Sequence, residues 1–590
     1  MAVAVGAGGA QLYVIDSKSV PGPNPGDCLG YGTSPCPVAG SSVRLVQNQY
    51  ILSLAKAGFQ TVPTPDAQTL ALLARQVATN NGFNATLSAA DQATMAALRS
   101  RIRHVIYVVK ENRAYDQVLG DLGRGNGDAT LAEFPNATTP NHHALARRFV
   151  TLDNFFDSGE VSGNGWPWST AARESDAGAR MLPVNYASSP VNPNGRGGSY
   201  DWEGANRNVN VGLAGAARRQ ANPVAPADPD VLPGTGNVAA PDGPGGEIQQ
   251  SYLWDAALRA GKSVRNYGFF IDLVRYAIPP AAGGIAADRT PAASNAVQAY
   301  AANPQLAPLT DPFFRGFDDT YPGFCRVQEW EREFAQYVGS GQLPALSLVR
   351  LMNDHTGSYA RAIDGVDTPE RQVADNDYAL GRLVQAVAAS PYAADTLIFV
   401  LEDDAQDGPD HVDAHRSIAY VIGPYVKTDA VVSTRYSTVN MLRTITDVLG
   451  LDHLGLFDAT QGPMADVFEL NKTTWSYAAQ ASGLLRGTQL PIAPNQFASA
   501  ATIRPTHDAR YWVRATRRFD FAEEDKVDAV AYNRVLWHGL MGERPYPTHR
   551  SGADLRDRQV AWLGSGAGAS FAAASAKASV GPDRTGRVAR

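Results

Sequence analysis

Three consecutive acids, Glu402, Asp403 and Asp404, end an apolar run at 397–401, and Asp407, Asp410, His411, Asp413 and His415 follow at once. Adjacent carboxylates repel one another and are costly to desolvate, so a fold that holds them together calls for a cation. A solvated acidic turn is the plainer alternative. Two other stretches repeat the arrangement: the apolar run 103–109 leads into Glu111 and Asn112, and the run 345–351 into Asn353, Asp354 and His355. Hard divalent cations take oxygen ligands, and a catalytic site leaves a position open for substrate. Glu111, Asn112, Asp403 and Asp404 together offer a mostly oxygen shell for one or two divalent metal ions. Asp354 and His355 could complete that shell, hold a second ion or meet substrate, with a helix cap as the alternative for Asp354.

Ser162 is the candidate nucleophile. It stands in Ser162-Gly163-Asn164-Gly165, read as a Gly-rich turn after an apolar segment, where small neighbours admit substrate and a nearby cation would lower the hydroxyl pKa. By itself the tetrapeptide would equally suit a surface turn. Asn164 is a candidate for binding phosphoryl oxygens. His411 and His415 have the spacing of two residues on one helical face, but the Glu of a His-Glu-x-x-His zinc site is absent. They read as donors to a substrate phosphate, or as groups behind the ligands, ahead of metal ligands. His142 and His143 are similar substrate-binding candidates, and a hydrogen-bonded structural His competes with each pair.

Such groups meet only if the strands that carry them end at one edge. The runs 103–109, 263–267, 345–351, 397–401 and 418–422 read as strands, and 252–261, 377–389 and 438–449 as helices, the last stopped by Gly450. Alternation of strand and helix from about 103 to 451 predicts an α/β fold with a largely parallel central sheet, whose carboxyl edge binds ligands. Residues 1–62 form a β-rich segment with strands at 11–15 and 42–46, and 63–102 a helical linker with Leu70, Leu72, Leu73, Met95, Leu98 and Ile102 at helical spacing. The catalytic domain is expected over 103–465, with an irregular insertion at about 185–250, then a C-terminal extension at 466–565 with aromatic anchors such as Trp512 and Trp537, and a disordered tail at 566–590. Of 590 residues, 44% are hydrophobic and 18% charged, which indicates a globular chain. The net charge of −7 without a basic run excludes a nucleic-acid binder, and no apolar stretch reaches the roughly 18 to 20 residues needed to cross a bilayer. With three Cys there is no disulfide framework; Cys28 and Cys36 could pair, leaving Cys325. The N-terminus has no basic region or apolar core of a signal peptide.

The motifs IRHVIYVVKENRAYD, at 102–116, and LEDDAQDGPDHVDAHRS, at 401–417, resemble the bacterial phosphoesterase family of phospholipase C and acid phosphatase enzymes, within the alkaline phosphatase-like superfamily. The resemblance covers about 100–465 and takes in Asp354-His355-Thr356, residues 374–381 and 441–444. It implies an α/β/α sandwich, metal binding by Glu111, Asn112, Asp403 and Asp404, and attack by Ser162 through a phosphoseryl intermediate on a phosphate-ester substrate. It also implies an extracytoplasmic location. Relatives carry His where this chain has Trp166. The first strands resemble the last blade of a YVTN-type β-propeller. Paired Asp with His-x-x-x-His also resembles polysaccharide deacetylases, a reading that leaves Glu111, Asn112 and Ser162 without a role. A non-catalytic, propeller-attached binding module is the third reading.

Overall fold

A strand with apolar side chains on both faces has no solvent side and must be covered twice. In this computed structural model the described residues are 2–16, 51, 58–83, 86–175, 179, 242–247, 250–272, 286–301, 303, 305–405, 408–519, 521, 527 and 529–547. The apolar runs form one sheet of β1 (His104–Lys110), β2 (Val264–Tyr267), β3 (Leu346–Arg350), β4 (Thr396–Glu402) and β5 (Ala419–Ile422), in the order β5-β4-β1-β3-β2. The first four run parallel, and β5 runs antiparallel to β4 at the edge. A parallel return requires a crossover, usually a helix. The described residues of the 403–418 link include none, and β5 turns back. The chain is thus α/β with a largely parallel sheet, as expected.

The helices that cover this sheet are α1 (Ala89–Arg101), α2 (Pro140–Arg148), α3 (Ser162–Ala171), α4 (Leu253–Arg259), α5 (Gly323–Ser340), α6 (Pro369–Ala388) and α7 (Thr438–Leu449). α7 packs on α1, α3 and α4, while α6 packs on α2 and α5. Alternation along β1 sends Tyr107 toward α3, where its hydroxyl donates to Ser169 O at 2.7 Å, and Lys110 toward the α6 side. Each large apolar side chain buried here is worth about 1.5–3 kcal/mol over exposure. The predicted end of α7 is observed: Gly450 takes φ 68°, a conformation that favours glycine. α6 starts at Pro369, earlier than its apolar spacing indicated. Thr368 caps it, and the buried polar residues Asp375, Asn376 and Asp377 had interrupted the apolar stripe.

Of the predicted linker helix, Met95, Leu98 and Ile102 are buried, but Leu70, Leu72 and Leu73 are exposed on a separate helix, Ala67–Asn80. Their spacing specifies helix without supplying a surface to bury them. An antiparallel sheet of Ala2–Val5, Gln11–Asp16 and Gly58–Pro63 precedes them. The strand expected at 42–46, Cys28, Cys36, most of the 185–250 insertion and the 566–590 tail lie outside the described residues. Cys325 is buried in α5, and burial pushes its thiol up to about 12. No described helix is long and apolar enough to cross a membrane. The last described helix of the C-terminal extension is α8 (Ala529–Met541), where Tyr532 and Leu536 join Trp512 and Tyr359 in a second small core.

Candidate active site

Register assembles the site. Glu402 lies opposite Lys110 and Arg350 opposite Val109, so β4, β1 and β3 end together at the carboxyl edge of the sheet. Glu111, Asn112, Asp354, Asp403 and Asp404 follow those ends, all buried. Ser162 is not in a free turn, as its glycines had suggested; it is the first residue of α3. Two short parallel pairings, Val150–Leu152 with Ala430–Val432 and Phe155–Phe156 with Tyr436–Ser437, hold the chain that leads to it. At Gly165 the helix meets the strand end so closely that a Cβ would lie 2.6 Å from Asp403 O.

Ser162 Oγ, fully buried, lies 3.0 Å from Asp404 Oδ2 and 3.2 Å from Asn112 Oδ1. A hydroxyl has one proton and cannot donate to both acceptors at once. Three oxygens converging on one proton are a donor set that a hard cation fits, with Glu111 and Asp403 adjacent in the chain. Asn112 adopts φ 62°, a left-handed conformation rare outside glycine but tolerated best by Asn and Asp. Strain of this kind tends to gather at functional sites.

Charged residues absent from the sequence reading set the electrostatics. Lys110 is buried between Asp354 and Glu402, with Nζ 2.6 Å from Glu402 Oε1. Burial first, then the Asp354 charge, push the Glu402 carboxyl well above its usual range against the pull of Lys110. Burial alone would lower Lys110, but Asp354 and Glu402 outweigh it and raise the ammonium. Glu402 is thus occupied by Lys110, away from Ser162. Asp354 is tied further by Glu111 N–H (3.3 Å) and Asn376 Nδ2 (3.2 Å), so it serves neither as helix cap nor, with these partners, as an open substrate contact. Arg350 Nε holds Glu111 Oε1 at 2.8 Å, and its guanidinium sits 4.9 Å from the Trp166 ring centre. Trp166 is itself packed on Phe269 at 4.9 Å, so it backs the site from the core. A lone Arg inside 346–350 and a Lys ending 104–110 were the sequence signals for these two cations.

The histidines separate. Burial lowers the His142 pKa below its ordinary value, and its Nδ1 lies 2.5 Å from Asp377 Oδ1. His143 Nε2 lies 2.8 Å from Asp121 Oδ1 and its Nδ1 2.9 Å from Thr139 O. Both rings tie α2 to its neighbours, which replaces the expected contact with substrate. Residues 411–415 form turns rather than a helix, so the two His do not share a face. His411 Nδ1 meets Asp116 Oδ2 at 2.5 Å, and His415 Nδ1 meets Asp413 Oδ1 at 3.1 Å. That arrangement does not form the His pair a deacetylase metal site would require beside Asp403 and Asp404. Asp116, Asp410 and His411 could themselves hold a cation, yet Arg416 already reaches Asp116 Oδ1 at 2.8 Å and Asp410 Oδ2 at 3.0 Å. Asn164 Oδ1 accepts from Glu160 N–H (2.9 Å) and Val161 N–H (3.1 Å), and its Nδ2 donates to Glu160. It caps α3 instead of facing a phosphoryl group. His355 does stay at the site: it lines a small cavity with Asn112 and Arg113.

No family model and no curated protein matches the chain. Solved structures similar to it include a protein in the alkaline phosphatase superfamily from Vibrio parahaemolyticus, 14% identical over 64% of this chain and 79% of that one, TM-score 0.32. The PsFucS1 sulfatase from Pseudoalteromonas sp. is 13% identical over 66% and 79%, TM-score 0.36. The phosphonate monoester hydrolase of Agrobacterium radiobacter is 14% identical over 62% and 77%, TM-score 0.33. Likenesses at this level leave the reaction to be argued from the site.

Proposed function

We propose that this chain is a metal-dependent hydrolase of phosphate esters with an alkaline phosphatase-like site, in which Ser162 is the nucleophile. The observation that carries the reading is the convergence of Ser162 Oγ with Asp404 and Asn112 at 3.0 and 3.2 Å, at the edge where three strands end. The motif resemblance at 102–116 and 401–417 supports the phospholipase C or acid phosphatase type.

Glu111, Asn112, Asp403, Asp404 and Ser162 would hold the divalent cation, which when bound supplies positive charge that lowers a hydroxyl pKa and polarises a phosphoryl oxygen. Asp404 Oδ2 is placed to accept the Ser162 proton. The positive end of the α3 dipole favours the resulting oxyanion. Ser162 Oγ bonds to phosphorus as the ester P–O bond breaks, and the departing alkoxide takes a proton from water to leave as the alcohol. Water then attacks the phosphoserine, releasing phosphate and restoring the hydroxyl. Arg350 keeps Glu111 oriented, Lys110 keeps Asp354 and Glu402 apart from the reaction, and Asn164 fixes the start of α3.

Hydrolysis of p-nitrophenyl phosphate, bis(p-nitrophenyl) phosphate and p-nitrophenyl sulfate, with and without chelator, tests this. Ser162→Ala is expected to lower kcat by about a thousandfold or more on the phosphate esters, as loss of a nucleophile does. Turnover that survives both chelator and the substitution removes the mechanism, and turnover of the sulfate alone removes the ester class.

A further inference from the structure

Lys110 directly precedes Glu111 and Asn112, and Glu402 directly precedes Asp403 and Asp404. Register sets Glu402 opposite Lys110, and the 2.6 Å contact of Lys110 Nζ with Glu402 Oε1 ties the two oxygen-bearing strand ends together. The other oxygen, Glu402 Oε2, is buried and has no hydrogen-bond partner among the described residues. A carboxyl gripped at one oxygen can still rotate, so whatever meets the second oxygen helps to set where Asp403 and Asp404 stand.

Two more polar atoms share that side of the sheet. Tyr420 of β5 stands opposite Val400, and alternation puts it on the same face as Glu402, two residues further along β4. Its hydroxyl is buried without a partner among the described residues. His142 of α2 covers this face, its ring edge-on to that of Tyr420 with centroids 5.7 Å apart, and its Nε2 is likewise buried and unpartnered. The Glu402 and Asp377 charges both act on the Tyr420 hydroxyl, and those of Lys110 and Asp354 on the His142 ring, so these groups form one buried layer. Buried polar atoms left unpaired are costly, and three in one layer call for a common partner. His142 Nδ1 lies 2.5 Å from the acceptor Asp377 Oδ1 and so carries the ring proton, while burial lowers the ring's pKa; Nε2 is then an acceptor. Glu402 Oε2 accepts when ionised and donates when protonated, and a tyrosine hydroxyl does either. A water, with two protons and two lone pairs, satisfies all three in both cases. A cation fits worse, because the Lys110 ammonium lies in the same layer.

We propose that Glu402, Tyr420 and His142 hold one buried water, and that Tyr420 and His142 act through it as positioning residues for the candidate metal ligands. The water fixes the free oxygen of Glu402, Glu402 fixes Lys110, and the strand ends carrying Glu111, Asn112, Asp403 and Asp404 keep their spacing. This rests on the metal-dependent reading above, and gives that site a support on the α2 side of the sheet.

The test uses the full chain, in two arms. In the first, a crystal structure of the chelator-treated wild type is expected to show one water within hydrogen-bond distance of Glu402, Tyr420 and His142 Nε2. In the second, Ca²⁺, Mg²⁺, Mn²⁺ and Zn²⁺ are titrated separately into chelator-treated protein in a calorimeter. Groups behind metal ligands typically change affinity by ten- to a hundredfold, so Tyr420→Phe, which keeps the ring and removes the hydroxyl, is expected to weaken binding about tenfold. Tyr392→Phe is the control: its hydroxyl donates to Tyr337 O at 2.8 Å, just before the opposite end of β4, and its loss is expected to leave metal affinity unchanged. A crystal structure in which the three atoms bond to protein groups and no water overturns the proposal. So does a Tyr420→Phe protein that binds metal as the wild type does, or an equal loss in both variants. A wild type that shows the water but binds none of the four metals overturns the metal-dependent reading and leaves the water site standing.

Discussion

Burying Lys110 between Asp354 and Glu402 puts one cation and two carboxyls where water does not reach. Removing one member of such a group leaves the rest uncompensated, so Lys110→Met is expected to cost about 3–5 kcal/mol in urea unfolding, far more than a surface Lys. A second residue reports through pH. His411 faces Asp116, Asp410, Arg416 and Asn126, and its hydrogen bond to Asp116 raises its pKa above 6.5 despite partial burial. Burial likewise pushes Asp410 up to about 7. A raised group contributes stability that is complete below its unfolded value and is lost as pH rises through the folded one. Asp116 is pushed up by burial but held below its usual range by the His411 bond and the Arg416 charge, so its contribution is lost only in acid. The urea midpoint is therefore expected to fall as pH rises through the Asp410 range up to about 7 and on through the raised His411 value, and His411→Gln to flatten the upper part of that slope. A midpoint that rises over this range contradicts the assignment.

At the scale of elements, the approach of α3 to the end of β4 decides where Ser162 sits. Gly165 permits it, because a Cβ there would stand 2.6 Å from Asp403 O and 2.9 Å from Asp403 C, both backbone atoms that cannot swing away. Gly165→Ala is expected to push the helix start outward. A displacement near 1 Å at reacting groups costs about a hundredfold in rate, so kcat/KM on an aryl phosphate should fall by that order while far-UV circular dichroism stays as in the wild type. Unchanged kinetics would show that the helix start tolerates the shift. Elements also explain what spacing could reveal. The strands and α7 were legible because apolar runs and a terminal Gly are local signals, whereas α6 hid its first turns behind buried Asp375 and Asp377, whose partners lie elsewhere in the chain.

In the whole molecule, the strand ends, α3 and α8 meet only through folding, and a bound cation would tie three of those strand and helix termini together. A ligand that binds only the native state adds about 2.7 kcal/mol at a hundred times its Kd. Thermal unfolding with added divalent metal is accordingly expected at a higher Tm than with chelator, and Asp403→Asn with Asp404→Asn to abolish the difference. A metal-dependent shift that survives both changes would place the cation elsewhere, with Asp116, Asp410 and His411 the next group to replace. The sequence by itself determined the α/β class and put Glu111, Asn112, Asp403 and Asp404 forward at strand ends, with Ser162 as a candidate, since apolar periodicity and clustered oxygen ligands are written locally. Only the tertiary structure decided that Lys110 and Arg350 hold the neighbouring acids, that His142, His143, His411 and Asn164 are spent on internal bonds, and that α8 lines a cavity beside Asn112. Those outcomes depend on which distant groups share one low-dielectric space, and no spacing along the chain records that.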